Sequence, residues 1–220
     1  MRDKRAAAAI LQRTSFDERH LAAREAVLSS QRGRLIEAMA ECVEAKGYTS
    51  TTLTDIVARA RVSRSTFYEH FANKEECFVE TVRTGTDIIA DLITQELTQL
   101  PAEAGFHTRV ECVVTTFCQA IAAEPDLARL ILSESFKVDQ ESVDLRNQAV
   151  DRFADLYRHF YAEARTADPA LPALSDDLFM LIPDAIGERT RRIIVAEGAD
   201  RVPAAAPLFI EFVCAVLGMA

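Results

Sequence analysis

Three features of the sequence predict an all-α fold. Glycine and proline are sparse, seven of each in 220 residues, and fall mostly between apolar runs. Those runs recur at spacings of three and four, and no alternating strand pattern persists. Several runs also open on residues that cap helix N-termini. About nine helices are expected, or ten if the first segment folds.

Residues 1–30 are Ala- and Arg-rich with a weak helical period, and read as an arm or an extra helix. Residues 31–46 form an amphipathic helix with Leu35, Met39, Cys42 and Val43 on one face, stopped by Gly47. Thr52 with Asp55 fits a capping box for a helix burying Leu53, Ile56, Val57 and Ala60. Ser63 caps a short helix carrying Phe67 and Phe71. Asn73 with Glu76 is a second capping-box candidate, opening a long helix over about 74–100.

Pro101–Gly105 breaks the pattern. Helices follow over roughly 106–123, 125–137, 140–166 and 175–198. Pro125 suits a first helical turn. Pro169 and Pro172 mark a loop, and Pro203 precedes a last helix over about 205–219. Pro183 lies inside the 175–198 pattern and predicts a kink or a late start. The expected division is an arm at 1–30, a helix-turn-helix unit at 31–78 and a larger helical domain at 79–220.

The formal charge is −9, which argues against a general nucleic-acid coat. The charge is uneven, however. Residues 1–83 carry 14 basic and 12 acidic side chains, whereas 84–220 carry 11 and 22. Only the first third suits phosphate contact. The five cysteines show no CxxC pair and no metal-ligand spacing, so they read as small hydrophobes in a reducing, cytoplasmic setting. No metal or cofactor is expected. The Ala6–Leu11 run is too short for a secretory signal, and no run approaches the roughly 20 apolar residues of a membrane span. No G-x-S-x-G, H-E-x-x-H, P-loop or Gly-rich dinucleotide turn is present, so no enzyme is expected.

The densest chemistry lies in Tyr48–Phe78, YTSTTLTDIVARARVSRSTFYEHFANKEECF. A helix-turn-helix sets its second helix in the major groove, which needs an apolar inner side and a polar, basic outer side. With Val62, Phe67 and Phe71 inward, Arg64, Ser65, Thr66, Tyr68, Glu69 and His70 remain outward. Arg64 suits guanine or phosphate, Glu69 a cytosine amine, and Thr66 a thymine methyl. Tyr68 and His70 suit phosphate oxygens. Lys74 adds a cation at a helix N-terminus, where backbone N–H groups also bind phosphate. Periodicity alone leaves open an ordinary helical hairpin with a solvated face.

The order T-x-x-D-I-x-x-x-A-x-V-S-x-x-T-F-Y-x-H-F-x-x-K-E, after a helix ending AKGY, resembles the N-terminal domain of TetR-type transcriptional regulators over about 31–78. The resemblance implies that Thr52 and Thr54 lie at the groove edge. Arg64, Ser65, Thr66 and Glu69 would then face base edges, while Tyr68, His70 and Lys74 hold phosphates. It further implies a homodimer on a near-palindromic stretch of double-stranded DNA, joined by the last two long helices. It also implies a small-molecule pocket in the C-terminal helices, and repression relieved by that ligand.

On that basis the expected pocket residues are Phe106, His107, Val110, Val114, Phe117, Cys118, Phe153, Tyr157 and Phe160, with ordinary core packing the competing role for each. Their aromatic character favours an apolar or amphipathic effector. The expected dimer residues are Leu178, Ile182, Ile186, Ile193, Phe209, Phe212, Val213 and Val216, since both last helices are apolar over most of their surface. Arg189, Arg191 and Arg192 suit a solvated face or a subunit-crossing pair ahead of a carboxylate or acyl-phosphate ligand. Arg2, Lys4, Arg5 and Arg13 suit a disordered arm with weak phosphate attraction, or a minor-groove contact. The alternative function is a helical ligand-binding or scaffold protein that does not read an operator.

Overall fold

The computed structural model describes residues 16, 18, 19, 21, 25, 29–138 and 140–219. Among these the only regular structure is helical, with nine α-helices and no strand. Helix α1, Gln31–Lys46, begins where Ser30 Oγ accepts the Gly33 N–H at 2.9 Å. It ends at Gly47, whose N–H returns to the Val43 carbonyl with φ at +76°, a conformation that suits glycine. Helix α2, Leu53–Ala60, has the reciprocal capping box. Thr52 N–H donates to Asp55 Oδ2 at 2.8 Å, and Asp55 N–H donates to Thr52 Oγ1 at 3.3 Å. Helix α3, Arg64–His70, is capped by Ser63 Oγ, which accepts the Thr66 N–H at 3.0 Å. Helix α4, Lys74–Thr98, is capped by Asn73, but the Glu76 carboxylate reaches back to the Ala72 N–H rather than to that of Asn73.

These helices enclose Leu35, Met39, Ile56, Phe67, Phe71 and Phe78. The cluster does not stop at residue 78. Val79 and Val82 of α4 continue it, and Leu130, Ile131 and Leu145 complete it from far along the chain. Helix α4 therefore has its N-terminal half in this cluster and Ile93 in a second, larger one.

The second cluster is built by α5 (Phe106–Ala123), α7 (Gln140–Ala167), α8 (Asp176–Glu197), the 3-10 segment Ala199–Ala205 and α9 (Ala206–Val216). Helix α8 runs through Pro183 from Asp176, so the late start does not occur.

The single helix expected over 125–137 is a succession of three. Helix α6 covers Pro125–Arg129, a π turn covers Leu130–Glu134, and a 3-10 turn covers Ser135–Lys137. The buried Ser135 explains the change. Its N–H bonds to the Leu130 carbonyl, five residues back, while its Oγ donates to the Ile131 carbonyl at 2.6 Å. A side-chain donor thus takes the acceptor that an α-helix would give to the backbone.

Of the residues described before Ser30, Phe16 and Arg19 sit against the body. Phe16 is buried with Leu92 of α4 and Ala120 of α5, and Arg19 pairs with Glu96 of α4. Arg2, Lys4, Arg5 and Arg13 lie outside the described residues. No described helix is long and apolar enough to cross a membrane.

Candidate nucleic-acid interface and effector pocket

Buried Phe67 fixes the orientation of α3. Its ring packs on Phe71 at 5.6 Å between centroids, leaving the opposite side of the helix outward. Arg64, Ser65, Tyr68 and Glu69 are exposed there, with Tyr68 at 58 %. Thr66 is half-buried, because its Oγ1 lies 3.0 Å from the Ser63 hydroxyl. Thr52 and Thr54 of the preceding helix are exposed beside this surface. Arg64 Nη2 donates to Thr54 Oγ1 at 2.7 Å, which ties the two helices at their solvent edge.

Asp55 stiffens the same edge. The Lys46 ammonium, then the hydroxyl and N–H of Thr52, hold its carboxyl well below the usual carboxylate range. Between α2 and α3, Arg61 adopts φ of +54° and the Val62 N–H returns to the Val57 carbonyl, closing the turn.

Two expected phosphate contacts are drawn in toward the protein. The Lys74 ammonium donates to the carbonyls of Tyr48 and Thr51, at 3.2 and 3.1 Å, and stands 3.9 Å from the Tyr48 ring centroid. His70 is half-buried, and its Nε2 is enclosed with no hydrogen bond among the described residues.

The larger cluster contains a pocket between α4, α5, α7 and α8, with about 710 Å³ of empty space counted out to its mouth. Four expected residues line it: Val114, Phe117, Phe153 and Tyr157. Five do not. Val110, Cys118 and Phe160 are buried in the surrounding core, Phe106 packs on its edge, and His107 is exposed. Except for His107, their helical period places them on an inward face, yet an inward face is shared between core and cavity.

Other lining residues were not anticipated. Ile131 and Leu132 come from the π turn, and Pro183, Ile186 and Gly187 from α8. Arg146 of α7 also lines it. The spacing 146–150–153–157 puts this arginine on the same helical face as Val150, Phe153 and Tyr157, a signal present in the sequence. The Arg189–Arg191–Arg192 group is not in the wall: Arg191 and Arg192 both pair with Glu188.

The π turn joins the pocket to the helix-turn-helix unit. Ile131 lines the former and is buried in the cluster of the latter. Glu134 at its end accepts the Tyr48 N–H at 3.4 Å, beside the loop that Lys74 holds.

Of the expected dimer residues, Ile182, Ile186, Ile193, Phe209 and Val213 are buried within the protomer. Leu178, Phe212 and Val216 are half-buried. The outward stripe of α8 is instead Leu178, Leu181, Ala185, Glu188, Arg192 and Val195, at alternating spacings of three and four. Leu181, Val195 and Leu208 of α9 are 59, 65 and 56 % exposed.

All five cysteines are free. Burial pushes the Cys77 and Cys118 thiols up to about 12 and Cys112 up to about 11, so they stay protonated at neutral pH. Among the described residues no three His, Cys, Asp or Glu side chains stand together as metal ligands.

Residues 35–81 match the family described as bacterial regulatory proteins, tetR family. The HTH-type transcriptional repressor KstR2 of Mycobacterium tuberculosis is 26% identical over 137 residues, spanning 56% of this chain and 68% of that protein. In fold the chain is similar to the transcriptional regulator FadR from Bacillus subtilis, determined in complex with stearoyl-CoA. That match has a TM-score of 0.70 and 15% identity over 85% of this chain and 98% of the other. It is also similar to the fatty acid degradation regulator FadR from Bacillus halodurans, with a TM-score of 0.73 and 16% identity over 84% and 94%. The helix-turn-helix motif and its capped second helix agree with these matches: residues 35–81 match the tetR family of bacterial regulatory proteins, and the helical body shares the fold of these regulators.

Proposed function

We propose that this protein is a homodimeric, sequence-specific repressor that leaves its operator when an apolar or amphipathic small molecule enters the α4–α5–α7–α8 pocket. The observation that carries the reading is α3, whose polar outer side is free of packing while Phe67 and Phe71 anchor its inner side. Arg64, Ser65 and Glu69 are assigned to base edges, Thr66, Thr52 and Thr54 to the groove margin, and Tyr68 to phosphate. Lys74 acts first in holding the helix-turn-helix together, with phosphate contact secondary, and His70 is assigned to phosphate. The proposed division is an arm at 1–30, a helix-turn-helix unit at 31–78 and a ligand-binding and dimerisation domain at 79–220, with α4 shared.

Dimerisation is assigned to the outward stripe of α8 and its neighbour Leu208 on α9. Three large apolar side chains there are more than half exposed in the protomer. A symmetric pair presents two α3 helices to a near-palindromic site. Release is a population shift: the effector favours a state in which the two helices are wrongly spaced. A coupling of about 1–3 kcal/mol lowers operator affinity about 5–150-fold. Helix α4 is the lever, with the π turn as its second bearing on the DNA-reading unit. The FadR similarity suggests a fatty-acyl effector.

Fluorescence anisotropy of the purified protein on its own upstream DNA, with scrambled competitor at several salt concentrations, tests the reading. Competitor-resistant binding supports it. Binding lost to competitor there and on genome-derived fragments overturns it, in favour of a helical ligand-binding protein.

A further inference from the structure

Among the described residues, the wall of the pocket contains a single charged side chain, Arg146. Its surroundings are unusual for an arginine. Cζ lies 4.5 Å from the Phe136 ring centroid, which holds the guanidinium against the protein. Nε is enclosed and makes no hydrogen bond among the described residues. Nη1 reaches Asn147 Oδ1 at 3.4 Å, and no described carboxylate forms an ion pair with the group. Glu188 contributes only at longer range, because its oxygens are taken by Arg191 and Arg192. Burial lowers the Arg146 pKa from its ordinary value, while Asp184 and Glu188 oppose the shift.

Helix α8 makes room for this group. A Cβ at Gly187 would stand 3.7 Å from Arg146 Nη2, and Gly187 is itself in the pocket wall. Any longer side chain at 187 would occupy the space beside the guanidinium. An arginine drawn into an apolar wall with an unmet donor is costly unless an acceptor arrives. Its planar fork fits a carboxylate or phosphate with two parallel hydrogen bonds.

We propose that the effector is an anionic amphiphile whose apolar body lies among Val114, Phe117 and Phe153 and whose carboxylate or phosphate pairs with Arg146. The proposal rests on the effector-pocket reading above and adds the charge of the ligand and the residue that selects it. Arg146 is the specificity-determining side chain, and Gly187 keeps its place open. The acid group belongs either to a free fatty acid or to the phosphates of an acyl-CoA.

Calorimetric titration of the full-length protein without DNA separates these cases. The probes are dodecanoate, dodecanoyl-CoA, coenzyme A alone, methyl dodecanoate and 1-dodecanol. They are applied to the wild type, Arg146→Gln, Arg146→Lys and the surface control Arg201→Gln. The expected result is that an acid probe binds about ten-fold or more tightly than the neutral ones, the scale of one charge-assisted pair. Arg146→Gln should abolish that preference while leaving the neutral probes within about two-fold, and Arg146→Lys should retain part of it. Tight dodecanoate binding identifies the carboxylate as the head; tight dodecanoyl-CoA binding alone identifies the phosphates.

Equal affinity for acid and neutral probes in the wild type overturns the proposal but leaves an apolar pocket standing. So does a preference that survives Arg146→Gln. Failure of every chain-bearing probe overturns both the proposal and the fatty-acyl effector assignment. Operator binding is measured separately and is untouched by any of these outcomes.

Discussion

The Lys74 ammonium stands 3.9 Å above the Tyr48 ring and donates to the Tyr48 carbonyl at 3.2 Å. Tyr48 Oη in turn donates to Glu75 Oε1 at 3.0 Å. The loop after α1 is thus fastened to the first turn of α4, immediately beyond the recognition helix. Lys74→Met keeps the aliphatic stem and removes the charge. It should cost about 1–3 kcal/mol of stability, read as a lower melting temperature. A purely phosphate-binding lysine would leave the melting temperature unchanged and weaken only DNA binding.

Arg64 and Phe67 are three residues apart and should fail in opposite ways. Arg64→Ala removes an exposed side chain, so stability should stay within about 0.5 kcal/mol. Operator affinity should fall by about 1–3 kcal/mol in anisotropy. Phe67→Ala empties a fully buried site and should cost about 3–5 kcal/mol of stability. Normal operator binding by Arg64→Ala would remove α3 from the reading role.

Asp55 gives the helix-turn-helix a pH signature. Its folded-state pKa is depressed, by Lys46 first and by Thr52 next. The stabilisation is therefore present above the unfolded carboxylate pKa of about 3.9 and is lost as pH falls below it. Melting temperatures of wild type and Asp55→Asn should differ most near pH 6–7, and the gap should narrow progressively as pH falls below about 4. A constant gap from pH 7 to 3 would show that the ionised carboxylate contributes nothing.

Gly85 lets the segment around the π turn press onto α4. A Cβ there would lie 2.7 Å from Ile131 Cδ1 and 2.9 Å from Leu127 Cδ2. Gly85→Val should lower stability by about 1–3 kcal/mol through overpacking. Adding Ile131→Ala should then cost less than it does alone, which a double-mutant cycle measures. Additive losses would show that the two residues do not meet.

The outward stripe of α8 makes the quaternary prediction. Leu181→Glu with Val195→Glu places charges on two exposed apolar positions, so protomer stability should change little. Light scattering should show a shift from dimer to monomer, and operator affinity should fall with it. An unchanged dimer would place the interface elsewhere.

The sequence by itself determined the helix-turn-helix and the order of the helices. Those features are local: Thr52–Asp55, Ser63 and Asn73 cap the helices that follow them, Gly47 stops α1, and Phe67 and Phe71 repeat at helical spacing. Capping and periodicity act within a few residues, so they survive in a one-dimensional reading. Tertiary structure decided the rest. Ile182, Ile186 and Ile193 share the apolar character of Leu181 and Val195, yet packing buries the first three and leaves the other two exposed. Val110 and Val114 are both inward, but only Val114 reaches the cavity. Ser135 unwinds the end of α6 because its hydroxyl finds the Ile131 carbonyl. Lys74 fastens to the carbonyl and ring of Tyr48, 26 residues back in the chain. Each outcome depends on which surfaces meet across long stretches of sequence, and periodicity specifies a face without naming what it faces.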